Sequence, residues 1–163
     1  MIFVTVGTQL PFERLVGAVD EWAARQSPRP DVLAQVGGGR VDYPHIRCVR
    51  TLDGRAYADA IAGARLLVAH AGTGSILTAL DGGVPVILLP RDAVRGEHRD
   101  DHQMQTARQM ERMGLVTVAW SEHDLASLID REMATPPSAR QPRVRNSELV
   151  EFVGAWVRGR LGR

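Results

Sequence analysis

Lysine is absent: every one of the chain's 20 basic residues is an arginine. That excludes a Walker A phosphate loop, and it excludes Schiff-base and pyridoxal chemistry, which need an ε-amino group. Cysteine is reduced to Cys48, so neither a disulfide framework nor a thiolate metal site can be built. Cys48 lies in the apolar stretch Ile46–Val49 and reads as a small core residue. No apolar run approaches the ~20 residues of a spanning helix. The opening Met1–Val6 is apolar without a basic flank, so no signal peptide is expected. An excess of either charge is missing too: the net charge of +1 gives no general attraction to nucleic acid or membrane. The all-arginine usage reads as coding bias. These absences predict a soluble, cytoplasmic protein whose membrane role, if it has one, runs through a partner.

What is present is enough apolar residue for one core: 163 residues, 44% hydrophobic. Short apolar runs alternate with helical spacing. Strands are predicted at Met1–Val6, Asp31–Val36, Ile46–Val49, Leu66–Ala69, Val86–Leu89 and Val116–Ala119. Helices are predicted at Pro11–Arg25, Asp53–Gly63, Gly74–Asp81, His102–Met113 and Glu122–Met133. Residues 1–134 then form one domain. The proline-bearing stretch 135–145 reads as a linker, and 146–163 as an amphipathic helix with Leu149, Phe152, Val153, Trp156 and Val157 on one face. Strand–helix alternation predicts an α/β fold, a single doubly wound parallel sheet. Ligands of such folds sit beyond the carboxyl ends of the strands. That rule selects Gly7–Pro11, Gly37–Arg40, His70–Ser75 and Pro90–Gln103.

In the first loop, glycine allows close backbone approach while Thr8 and Gln9 offer donors to an oxyanion; a tight turn with a cap would read the same way. In His70-Ala71-Gly72-Thr73-Gly74-Ser75, two glycines expose amides at a helix start, where the dipole favours a diphosphate. The stretch from Gly72 half-matches a dinucleotide fingerprint, but Leu77 replaces the third glycine and the strand is a late one, which argues against nicotinamide. His98 and His102 lie four apart, yet no metalloprotease pattern and no Asp-x-Asp is present, and adjacent Asp100 and Asp101 cannot both face one ion from a helix. No metal is expected. A charged, solvated loop is one reading of Gly96–Gln103; a sugar-recognition loop, with Asp101 and Gln103 straddling the helix start, is the other.

Taken in order, His70–Ser75, Gly83-Val84-Pro85-Val86-Ile87, Pro90 and Asp101-His102-Gln103 resemble the C-terminal domain of family 28 glycosyltransferases. The opening Phe3–Leu15 and Gly96-Glu97-His98-Arg99 are similar to PssE-like subunits of bacterial exopolysaccharide synthesis. A more distant likeness is to the eukaryotic catalytic subunit that adds the second N-acetylglucosamine to dolichol diphosphate, and to MurG. The likeness runs from Met1 to about Val118. It implies the donor-binding half of a GT-B glycosyltransferase, taking a UDP-sugar without a metal or other cofactor. The glycine loop would hold the diphosphate and the Asp101–Gln103 segment the sugar. Gly7, Thr8, Gln9, His70, Ala71, Gly72, Thr73, Gly74, Ser75, Arg91, Glu97, Arg99, Asp101, His102 and Gln103 are then the expected donor-binding residues. One departure stands out: MurG and the eukaryotic subunit carry a ribose-holding glutamate four residues after the position of Gly74, and this chain has Thr78 there.

The expected activity is inverting transfer from a UDP-sugar to a lipid-linked oligosaccharide, with a membrane-associated PssD-like subunit supplying the acceptor half and no nucleic acid involved. The base that deprotonates the acceptor is His70, a loop carboxylate or a residue of the partner. Arg91, Arg95 and Arg99 around the loop would favour glucuronic acid through paired hydrogen bonds to its carboxylate. The alternative is a non-catalytic nucleotide-sugar-binding regulator. An epimerase would need a tyrosine–lysine pair, which a lysine-free chain cannot supply.

Overall fold

The computed structural model describes residues 1–8, 10–99 and 101–136. Six strands form one sheet: β1 (Ile2–Thr5), β2 (Val32–Gln35), β3 (Arg47–Val49), β4 (Leu66–Ala69), β5 (Val86–Leu88) and β6 (Thr117–Val118). Their spatial order is β3-β2-β1-β4-β5-β6, and every pairing is parallel. The connections are α1 (Glu13–Ala24), α2 (Gly54–Ala62), α3 (Thr73–Asp81) and α4 (His102–Arg112), with α5 (Leu125–Ala134) closing the described chain after a single 3₁₀ turn, Glu122–Asp124.

The strands are apolar on both faces because both faces are covered. Ile2, Val4, Leu66, Val68 and Ile87 pack with Leu15, Val19 and Trp22 of α1 and Leu125 and Ile129 of α5. Their neighbours Phe3, Leu67, Ala69, Val86 and Leu88 pack with Ile61 of α2, Ile76 and Ala79 of α3, and Ala107 and Met110 of α4. The period of two along each strand sorts these residues into the two cores. The predicted doubly wound sheet is therefore the fold observed, with every strand end on the predicted residue or one residue inside it.

Local signals explain the helix starts. The Asp53 carboxylate accepts from the Ala56 N–H at 2.8 Å and caps α2. Ser121 and Asp124 form a reciprocal capping box that begins the segment leading into α5. Trp22 Nε1–H donates to Asp130 at 2.8 Å and ties α1 to α5. Cys48 is half-buried against the α1-side core, and burial pushes its thiol up to about 11, so it stays protonated. The predicted terminal helix, and all of the predicted linker past Pro136, lie outside the described residues. Among the described residues no helix is long and apolar enough to cross a membrane.

Candidate functional site

Strand order reverses between β1 and β4, and a cleft of about 560 Å³ opens above that point at the carboxyl ends of the strands. The loop after β1 forms one wall through Gly7, Thr8 and Leu10. The glycine loop and the first turns of α3 form the floor through His70, Gly72, Gly74, Ser75 and Thr78. Gln35, Leu52 and Tyr57 line the β2–β3 side; Arg91, His98 and Gln103 line the β5 side.

The helix α3 starts at Thr73, one residue before the predicted Gly74, with Gly72 at its cap and no side chain capping it. Its first amides are thus left for a ligand, at the positive end of the dipole. The Gly72 N–H itself bonds to the His70 carbonyl at 2.8 Å, which draws the loop into a tight turn.

His70 sits between the two glycine-bearing loops. Its Nδ1 lies 3.4 Å from the Thr5 carbonyl; a carbonyl only accepts, so Nδ1 carries the proton and Nε2 keeps its lone pair. A Cβ on Gly7 would stand 2.8 Å from both Cε1 and Nε2 of the ring. A Cβ on Gly72 would stand 2.7 Å from Cε1 and closer still to Nε2. Both glycines are therefore needed to house the imidazole, and Gly7, at φ +79°, is also in the left-handed region. Burial pushes the His70 pKa down to about 4, with the Arg91 charge and then His98 adding to the fall. At neutral pH the ring is uncharged and a weak base. Because the folded value lies below the ordinary 6.5, the unfolded chain binds the proton more tightly. Stability is complete above pH 6.5 and declines as pH falls toward 4, by on the order of 3 kcal/mol from this group. Urea titrations between pH 7 and 4 should show that slope, and His70→Asn should flatten it. A slope unchanged by the substitution would place its origin elsewhere.

Arg91 lines the cleft, but its guanidinium is turned to the backbone rather than to a sugar. It is 2% exposed, and its guanidinium donates to the carbonyls of Val6 (2.9 Å), Leu10 (2.6 Å) and Pro11 (2.7 Å), with Glu97 O at 3.4 Å. It also stacks over Phe12, 4.5 Å from the ring centre. It fixes the loop after β1 rather than presenting its charge to a carboxylate. Glu97 is likewise spent: its carboxylate takes Nε and Nη2 of Arg14 at 2.8 and 2.7 Å and the Asp92 N–H at 2.9 Å. This fork-on-fork pairing secures the 91–99 loop to α1. Arg95 bonds Glu122 at 2.9 Å and lies 3.7 Å from Asp92. The Glu122 carboxyl is held down to about 2, first by its own backbone N–H and then by Arg95 and Arg14.

Gln103 bridges two loops, its Oε1 accepting from the N–H groups of Ala71 and Arg91, each at 3.2 Å. Ala71 is buried behind the cleft and Thr73 is half-buried; Arg99, Asp101 and His102 are exposed and, like Ala71, Thr73 and Glu97, do not line it. Gln9 falls outside the described residues. The Gly37–Arg40 loop does not reach the cleft: the Arg40 N–H donates to Glu13 at 2.9 Å and folds the loop onto α1. Among the described residues no three His, Cys, Asp or Glu side chains converge as a cation's ligands would.

Sequence reasoning missed Gln35, Leu52, Tyr57 and Arg14. Tyr57 looked like part of the apolar face of α2, but its hydroxyl reaches Ser75 Oγ at 2.7 Å. Gln35 ends β2 one residue short of the predicted strand end at Val36, and the sequence carries no sign that its side chain faces the interior.

The glycosyltransferase family 28 C-terminal domain matches residues 1–155, farther than the likeness read from the motifs. The UDP-N-acetylglucosamine transferase subunit ALG13 of Yarrowia lipolytica (strain CLIB 122 / E 150) is 32% identical over 129 residues, 69% of this chain and 61% of that protein. Among solved structures, the glycotransferase of kitacinnamycin superposes with a TM-score of 0.66 at 17% identity, over 94% of this chain and 39% of that one. MurG of Acinetobacter baumannii gives 0.60 at 21% identity, over 80% of this chain and 40% of its own. The chain thus spans less than two thirds of the curated relative and about two fifths of these solved chains.

Proposed function

This chain belongs to the glycosyltransferase family 28 C-terminal domain family, and from that premise we propose that it is the donor-binding half of an inverting glycosyltransferase that takes its sugar from UDP. The observation that carries the proposal is the uncapped amino end of α3, set beside Gly72 at the strand-order reversal and faced by Gly7 from the opposite loop. Such an end binds a diphosphate through its amides and dipole. It then favours departure, because charge grows on the diphosphate as the bond to the anomeric carbon breaks. The acceptor hydroxyl oxygen bonds to that carbon from the opposite side, and its proton passes to a base.

His70 is a poor choice of base. A ring held near pKa 4 accepts a proton weakly, and its own proton is directed at the Thr5 carbonyl. We assign it to positioning the two loops and place the base on the other half of the enzyme. A second polypeptide is supported by the word "subunit" in the name of the ALG13 relative. The PssE-like opening and the Gly96–Arg99 stretch support an exopolysaccharide setting, with a membrane-associated partner holding a lipid-linked oligosaccharide. The expected preference for glucuronic acid loses its support, since Arg91 and Arg95 are committed within the protein; the proposal is therefore kept to a UDP-sugar.

Calorimetry on the isolated chain tests the donor. UDP should bind, ADP and GDP more weakly, and a chelator should change nothing. Equal affinities would remove the uridine assignment, and binding restored only by magnesium or manganese would remove metal independence. Transfer should be negligible with the chain alone and appear when it is co-expressed with its acceptor-binding partner, scored by UDP release. Full turnover by the single chain would overturn the split.

A further inference from the structure

Gln35 ends β2, a strand otherwise apolar, and is only 2% exposed. Its carbonyl oxygen Oε1 is buried with no hydrogen-bond partner. A buried acceptor left unpaired costs free energy that an apolar side chain of the same length would not, so it calls for a cause. Gln35 also lines the cleft, together with Leu52 and Tyr57.

Register places it relative to the diphosphate site. Gln35 pairs with Thr5, and Thr5 with Ala69, the residue that leads into the glycine loop. Two strand spacings, about 10 Å, therefore separate Gln35 from that loop, on the side away from β5. A nucleoside diphosphate anchored on α3 with its sugar toward Arg91, His98 and Gln103 would extend its nucleoside toward Gln35. Leu52 and Tyr57 offer apolar surface there, and the neighbouring hydroxyls are already engaged: Thr78 Oγ1 donates to the Gly74 carbonyl at 3.0 Å, and the Tyr57 hydroxyl pairs with Ser75.

We propose that Gln35 reads the nucleoside of the ligand, its amide oxygen accepting a hydrogen bond from a ribose hydroxyl or from the imide N–H of the base. The terminal torsion of glutamine is broad and twofold, so the amide can turn to bring its oxygen to the ligand. A donor on the ligand would give that oxygen its hydrogen bond. This rests on the nucleotide reading above.

The test is titration calorimetry of the full chain with UDP, 2′-deoxy-UDP, N3-methyl-UDP and inorganic pyrophosphate, alongside thermal melts of each protein. Wild type should prefer UDP by about tenfold over whichever analogue lacks the group that Gln35 reads. Gln35→Met should bind UDP about tenfold more weakly, lose that preference and hold pyrophosphate as before. It should also melt no lower than wild type, because an unpaired buried carbonyl has gone. Gln35→Leu serves as the second variant. Unchanged UDP affinity in Gln35→Met, equal binding of all three nucleotides by wild type, or a lowered melting temperature in both variants would each overturn the proposal. Failure of UDP to bind wild type at all would instead sink the nucleotide reading, and this proposal with it.

Discussion

Gly72→Ala should abolish nucleotide binding and lower the melting temperature by several degrees. The added methyl would meet the His70 ring, 2.7 Å from Cε1 and 3.0 Å from Cδ2, with Nε2 nearer than either. The ring has no free direction in which to yield. Its Nδ1 is held toward the Thr5 carbonyl, and the Gly7 backbone closes the other side so tightly that a Cβ there would also stand 2.8 Å away. Relief must come from turning the imidazole out or from displacing the start of α3, which is the surface proposed to hold the diphosphate. Overpacking of this kind costs roughly 1–3 kcal/mol, and each kcal/mol lowers the melting temperature by about 2–4 °C at this chain length. Gly74→Ala is the control for the melt, because a Cβ there meets nothing of the protein within 4 Å. His70→Ala is the relief: in that background Gly72→Ala should cost little, a coupling visible in a double-mutant cycle of thermal melts. A Gly72→Ala protein as stable as wild type would show that the ring does not hold the loop.

The sheet was legible because burial on both faces leaves an unambiguous run of apolar residues, as in Leu66–Ala69, where predicted and observed strands coincide. The glycine loop was legible because its chemistry is local: Gly72, Thr73 and Gly74 are adjacent, and the strand before them and helix after them declare the turn. The β5–α4 loop was not. Composition could not tell a charged loop that meets a ligand from one that meets its own protein. The deciding partners are distant in sequence: Arg14 lies 83 residues from Glu97, and the Val6 carbonyl 85 from the Arg91 guanidinium. Gln35 was hidden for the opposite reason. A strand that ends in a polar residue looks like one that has reached its loop, and only the pairing of Gln35 with Thr5 shows that the side chain remains in the interior.

Arg91→Met should be the most destabilising single change in the loops, with Arg91→Lys between it and wild type. The Arg91 guanidinium serves the carbonyls of Val6, Leu10 and Pro11 at 2.6–2.9 Å and covers the Phe12 ring at 4.5 Å. Methionine matches the stem and removes every donor, leaving those carbonyls to find water in a site where the arginine was 2% exposed. Hydrogen bonds from a charged donor contribute about 1.5–3 kcal/mol each, and they do not add fully. A loss of roughly 3–5 kcal/mol is expected, a large share of the 5–15 kcal/mol that holds an ordinary domain. Lysine restores the charge but not the planar fork or the stacking, so it recovers only part of the loss. The charge has its own readout. Arg91 helps to depress the His70 pKa, second only to burial. The proton resonances of the His70 ring should therefore titrate higher in Arg91→Met, provided the variant is folded at the temperature used, and stay near 4 in Arg91→Lys. If Arg91 instead served the ligand directly, Arg91→Met would keep its melting temperature and lose UDP affinity alone, and the assignment of this residue to the loop after β1 would be wrong.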